Sequence, residues 1–187
     1  MGDKEGSLGR LGVETAVASS AYFATILLTF ELVVPLQNLV FPEYSSRASL
    51  LFLPHGVRVL SAWLLGWRAV PALLPGVIAA FAYVGGMDVL LPSRMIAIAI
   101  AVCTVPLCLH LLRVIGLDLF PSQDRAPCWL CVMGVGIVTS LIIASLTNMA
   151  FGSDPIEAIA YLIGDISGLF FGMLALLYAF RLLGRSA

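Results

Sequence analysis

Glu31, His55, Arg58 and Asp165 lie inside long apolar runs of this 187-residue chain. An unpaired charge is expensive in hydrocarbon, so each of these groups is a candidate for binding or proton handling. His55 and Arg58 are three residues apart and share a helix face. A facing carboxylate would neutralise Arg58, and Glu31 and Asp165 are the two expected in the same outer half of the membrane. The four are therefore expected to form one polar cluster opening to that side. It suits an anionic or zwitterionic small molecule, or an internal salt bridge that sets helix register. Glu14, near an interface, and His110, read as a hydrogen-bonded packing residue, are weaker candidates.

A second kind of chemistry is written in Pro127-Cys128-Trp129-Leu130-Cys131, a C-x-x-C that opens an apolar run. Helix-terminal amides there would lower a thiol pKa, although small thiols are also ordinary buried residues. Cys103 and Cys108 form a second pair within the preceding run. No His accompanies the C-x-x-C to complete a zinc set. The chain also lacks a nucleophile elbow, a Walker loop and an H-E-x-x-H. It reads as non-enzymatic, without cofactor or metal, with redox chemistry at Cys128 and Cys131 as the enzymatic alternative.

The elements that position these residues are membrane helices. Sixty per cent of the residues are apolar, 11% are charged, and the mean hydropathy is +1.04, where a soluble domain carries roughly a quarter charged residues. The net charge of −1 and the absence of a basic cluster leave no footprint for nucleic acid. About 20 apolar residues cross a bilayer as a helix. Six runs qualify, approximately 12–35, 50–66, 69–87, 93–115, 128–150 and 156–181, in a single integral membrane domain spanning 1–187. The first reads as a retained span rather than a signal peptide. Leu53-Pro54-His55-Gly56 makes the second a short, tilted or partly unwound helix. The fold class is an all-α, polytopic helical bundle.

Basic residues in short loops resist translocation. With six spans, Lys4, Arg10, Arg68, Arg113, Arg125, Arg181 and Arg185 fall on one side, Arg47 and Arg94 on the other, and Arg58 within a span. Both termini are thus expected in the cytoplasm of a bacterial inner membrane, with Cys128 and Cys131 on the same side. Small residues at Ala16, Ser20 and Ala24, at Gly134, Ser140 and Ala144, and at Gly164, Gly168 and Gly172 are expected to pack helices closely within the bundle.

The block Leu53-Pro54-His55-Gly56-Val57-Arg58 through Leu65-Gly66-Trp67-Arg68 and Pro71, with Gly164-Asp165-Ile166-Ser167-Gly168, resembles the bacterial membrane-associated sensor domain of the first type. Members of that family usually have about eight spans and precede histidine kinase or diguanylate cyclase modules. This chain differs in span number, in placing His55 and Arg58 where the family is commonly apolar or small, and in having no output module after Ala187. The resemblance implies a stand-alone sensor-like module that works through a protein partner in the membrane or cytoplasm. The size and the helix-Gly-Arg pattern are also similar to substrate-binding subunits of energy-coupling-factor transporters, which implies uptake of a small molecule as an alternative. The C-x-x-C spacing resembles that of quinone-linked disulfide-forming membrane oxidoreductases. A structural subunit of a larger membrane complex is the remaining reading.

Overall fold

The computed structural model describes residues 2–42, 49–122, 126–151 and 155–183. Arg47, Arg125 and Arg185 of the charge pattern lie outside them. Every regular element among the described residues is helical: α1 (Gly2–Leu28), a π-helical turn (Thr29–Val33), α2 (Val34–Val40), α3 (Leu53–Leu65), α4 (Ala69–Gly85), α5 (Pro92–Val114), α6 (Trp129–Phe151) and α7 (Pro155–Leu183), with 3₁₀ turns at Gly66–Arg68 and Gly86–Leu90. Among the described residues five stretches are long and apolar enough to cross a membrane: Gly9–Val40, Leu53–Gly85, Pro92–Val114, Trp129–Leu146 and Ile159–Ala179. The chain is a multi-pass, all-α membrane protein.

Leu53–Gly85 is one stretch by length but two legs by geometry. Gly66 has φ 59° and ψ −133°, a conformation that a side chain would clash with, and the chain reverses there. The contacts fix the directions. Arg68 pairs with Glu14 at 2.7 Å and Tyr83 meets Glu31, so α4 runs parallel to α1. Gly168 touches Phe52 while Gly172 touches Gly56 and Leu60, so α3 runs parallel to α7. Gly66 lies by His110 and Gly85 by Arg94, which sets α5 antiparallel to α4. The bundle consequently has six legs.

The short leg is α3, whose 13 residues rise only about 20 Å where the hydrocarbon core is about 30 Å thick. Residues 49–52 lead into it without helix. Their backbone is satisfied by neighbours, as lipid requires: Phe52 N–H donates to Gly164 O (2.8 Å), Leu50 N–H to Gln37 Oε1 (2.8 Å), and Ser167 Oγ–H to Leu50 O (2.5 Å). The unwound start expected from Leu53-Pro54-His55-Gly56 is thus a bent, non-helical approach at residues 49–52 followed by a helix with Pro54 in its first turn, where no N–H is missed. Nine of the 13 residues of α3 are buried, because α1, α4, α5, α6 and α7 all pack around it. Val59, Ala62, Leu73, Val77, Val105, Leu109, Val132 and Leu169 make the core beside it.

The glycines of α7 do pack against α3. The stripe expected on α1 does not face the bundle: Ala16, Ser20 and Ala24 are exposed, and Ala18, Ser19, Tyr22 and Ile26 form the packed face. Ser19 lies against α4 at Gly76, just after Pro75 interrupts that helix. Its hydroxyl donates to Ala72 O (2.7 Å) and accepts from Gly76 N–H (3.0 Å), the two groups that an uninterrupted helix would pair with each other. Ser19→Ala should therefore strand both, lowering stability in detergent unfolding by about 1–3 kcal/mol. A change of a few tenths would mean that Ala72 and Gly76 re-pair without it.

Candidate functional site

The polar residues of the bundle interior gather where α3 begins. Asp165 lies ten residues into α7, about 15 Å from its start, and α3 presents His55 and Arg58 on one face toward it. His55 is fully buried, Arg58 is 6% exposed and Asp165 8% exposed. Close approach of the two helices is made by Gly56 and Gly168, which pack backbone to backbone. The segments Leu53–Arg58 and Gly164–Gly168, far apart in sequence, are thus one contact.

Hydrogen bonds define the centre. His55 Nε2 lies 3.1 Å from Gly136 O; a carbonyl only accepts, so Nε2 carries a proton. His55 Nδ1 then faces Asp165 Oδ2 at 3.6 Å, and the same oxygen accepts from Ser140 Oγ–H at 2.5 Å. Thr139, fully buried beside them, donates to Gly136 O. Two charge states fit this geometry. With a neutral imidazole, the Nδ1 lone pair faces a carboxylate, and Asp165 is the anion that offsets Arg58. With one further proton between Nδ1 and Oδ2, the facing lone pairs are relieved and Arg58 is left as a net positive charge.

Arg58 is the incomplete member. Its Nε has no hydrogen-bond partner, and none of the ion pairs among the described residues includes it. Its guanidinium carbon stands 5.9 Å from the Phe52 ring centroid, a cation–π contact that recovers part of the desolvation. Tyr22 of α1, 3% exposed, closes the site within electrostatic reach of Arg58 and Asp165.

Three of the four residues expected in the cluster are therefore together, and Glu31 is not among them. It is exposed and meets the hydroxyl of Tyr83. Nine residues separate Glu31 from Tyr22, two and a half helical turns, which places it on the opposite side of α1. The π-helical turn that contains Glu31 shifts the register further. In its place the structure supplies Ser140, Thr139 and Tyr22. Ser140 was legible as a small residue of α6 but not as a partner of Asp165, and Tyr22 has no sequence signal beyond its apolar surroundings.

The remaining candidates have ordinary partners. Glu14 joins Arg68 (2.7 Å) and Arg10 (3.2 Å). His110 Nδ1 lies 2.9 Å from Pro106 O, between the rings of Trp67 and Phe120, a packing histidine. Cys103 and Cys108 are free, half-buried thiols of α5, whereas Cys128 and Cys131 are joined in a disulfide at the start of α6. Among the described residues no group of three or more His, Cys, Asp or Glu side chains could hold a metal ion. Comparison with family models, with curated proteins and with solved structures returns no match to this chain.

Proposed function

We propose that this chain is a non-enzymatic, sensor-like membrane module that binds a small anionic or zwitterionic molecule at Arg58 and reports its presence to a protein partner. The observation that carries this reading is the buried Arg58 guanidinium with an orphaned Nε beside a His55–Asp165 pair. Uncompensated charge in a bundle interior is retained where it has work to do. An anion at Arg58 and a proton between His55 and Asp165 would complete the site together, since each removes the other's excess charge. The contact between Leu53–Arg58 and Gly164–Gly168 supports the reading, because these segments carry the resemblance to the sensor domain. The basic-residue asymmetry orients the cluster toward the periplasm of a bacterial inner membrane, with both termini cytoplasmic.

A ligand arginine and a structural arginine respond oppositely to a neutral replacement of similar length. Arg58→Met should change stability by less than about 2 kcal/mol, because Arg58 makes no direct ion pair among the described residues and its Nε no hydrogen bond, so an apolar side chain of similar length removes a desolvated charge and gives up only a longer-range attraction to Asp165. The same variant, purified in mild detergent from its native membrane, should lose the small anion that mass spectrometry finds on the wild type. A loss of stability above about 2 kcal/mol, with no small molecule on the wild type, would make Arg58 a structural charge and end the proposal. Co-purification with an energising ATPase complex and net uptake would assign the same site to a transporter subunit.

A further inference from the structure

The end of the bundle opposite the polar cluster carries a site of different chemistry. Cys128 and Cys131 form a disulfide across only three positions, at the first turn of α6. A loop this small removes little entropy from an unfolded chain, and a helical turn already holds the two residues near each other. The bond is thus poorly placed to staple the fold. Its two sulfurs are also unequal: Cys128 is exposed and Cys131 is half-buried. Cys128 lines a cavity of about 310 Å³, with Gly116, Asp118, Phe120, Pro121 and Pro127 among the other lining residues. That volume is at the lower end for small-molecule sites. The walls are fixed: Trp63 Nε1–H donates to Leu119 O (2.6 Å), Arg113 Nε pairs with Asp118 Oδ2 (3.2 Å), and Trp129, between the two cysteines, packs on Trp63.

From this arrangement we infer that the Cys128–Cys131 pair is a thiol–disulfide exchange site, taking a small soluble thiol into the cavity with Cys128 as the attacked sulfur. The incoming thiolate attacks Cys128 Sγ, a new S–S bond forms, and the Cys128–Cys131 bond breaks. Its electron pair leaves on Cys131 Sγ, which takes a proton from water. A second thiolate then attacks the sulfur of the bound thiol and releases Cys128 as a thiolate, which is protonated in turn. The pair gains two electrons and two protons, and two thiols become one disulfide. Cys131 N–H donates to Cys128 Sγ at 3.3 Å, so the sulfur occupies the place of a helix-capping oxygen and its thiolate is stabilised as a leaving group.

The proposal stands independently of the polar cluster and is tested on the folded, detergent-purified chain in mixtures of reduced and oxidised glutathione. Free thiols are alkylated after acid quench and counted by intact mass. The expected result is a rise in reduced pair from about a tenth to about nine tenths over a roughly hundredfold change in the glutathione ratio. In Cys131→Ser the lone Cys128 should take up glutathione from the oxidised form at least about tenfold faster than the lone Cys131 of Cys128→Ser, following exposure. A wild-type pair that stays oxidised through the whole series and is reduced only after unfolding would overturn the proposal. Faster uptake by Cys131 would overturn the assignment of the attacked sulfur. The wild-type titration decides the first point even where a single-cysteine variant fails to fold.

Discussion

Gly168→Ala should break the seam between α3 and α7 and lower the stability of the bundle by about 3 kcal/mol or more, the upper end of the range for overpacking. A Cβ at this position would stand 2.0 Å from Phe52 O, 2.4 Å from Phe52 C and 2.8 Å from Leu53 N. All three are backbone atoms, so no side chain can swing aside. Phe52 is held on both sides of this peptide, by its own N–H donating to Gly164 O and by its carbonyl accepting from His55 N–H, and relief by sliding would break the first. One turn further on, a Cβ at Gly172 would meet Gly56 Cα at 3.4 Å, the end of Leu60 at 3.5 Å and Gly56 C at 3.7 Å, all ordinary contacts, so Gly172→Ala should change stability by less than about 1 kcal/mol. Denaturant titration of the two variants in detergent, followed by helicity, checks the pair. Equal effects would mean that the repeated glycines act through helix propensity and not through close approach, since propensity is the same at both.

The overall architecture was legible in the sequence because it rests on properties that average over many residues. Twenty-residue apolar runs, the break at Gly66 and the proline at the start of α3 each reflect a local rule that lipid makes strict, namely that backbone groups must find partners within the chain. Positions that depend on helix rotation were harder to read. The apolar residues of a membrane helix cover its whole circumference, so no amphipathic stripe marks the packed face. Ala16, Ser20 and Ala24 repeat every four residues yet face outward, and Ser19, one position away, makes the contact. Glu31 was misplaced for the same reason, since its position along the first span says nothing of the side to which it turns. His55, Arg58 and Asp165 came together because α3 is enclosed by neighbouring helices over most of its surface, which leaves little lipid for a charge to face. Only tertiary packing brings α6 close enough for Ser140 and Gly136 to complete the cluster.

Asp165→Ala tests whether that cluster is held by charge, and it should cost about 3–5 kcal/mol, the range for removing one partner of a buried ionic group. The substitution frees Ser140 Oγ–H, leaves the Nδ1 lone pair of His55 without its facing group, and removes the carboxylate that offsets Arg58. Asp165→Asn separates these effects. Both contacts fall on Oδ2, so an amide nitrogen there can donate to Nδ1 of a neutral imidazole whose Nε2–H remains on Gly136 O and to Ser140 Oγ, whose own proton must turn away; one hydrogen bond is reversed and the charge is lost. It should therefore be intermediate, about 1–3 kcal/mol. The decisive variant combines Asp165→Ala with Arg58→Met, because removing the second charge should return about 2 kcal/mol of the loss, a coupling expected of residues in one network. Stabilities of the wild type, the two single variants and the double variant in one detergent close the cycle. A coupling near zero would assign the cost of Asp165→Ala to the Ser140 and His55 contacts alone. Arg58 would then have no anionic counterpart anywhere in the described fold, and the positive charge would be left entirely to a bound anion.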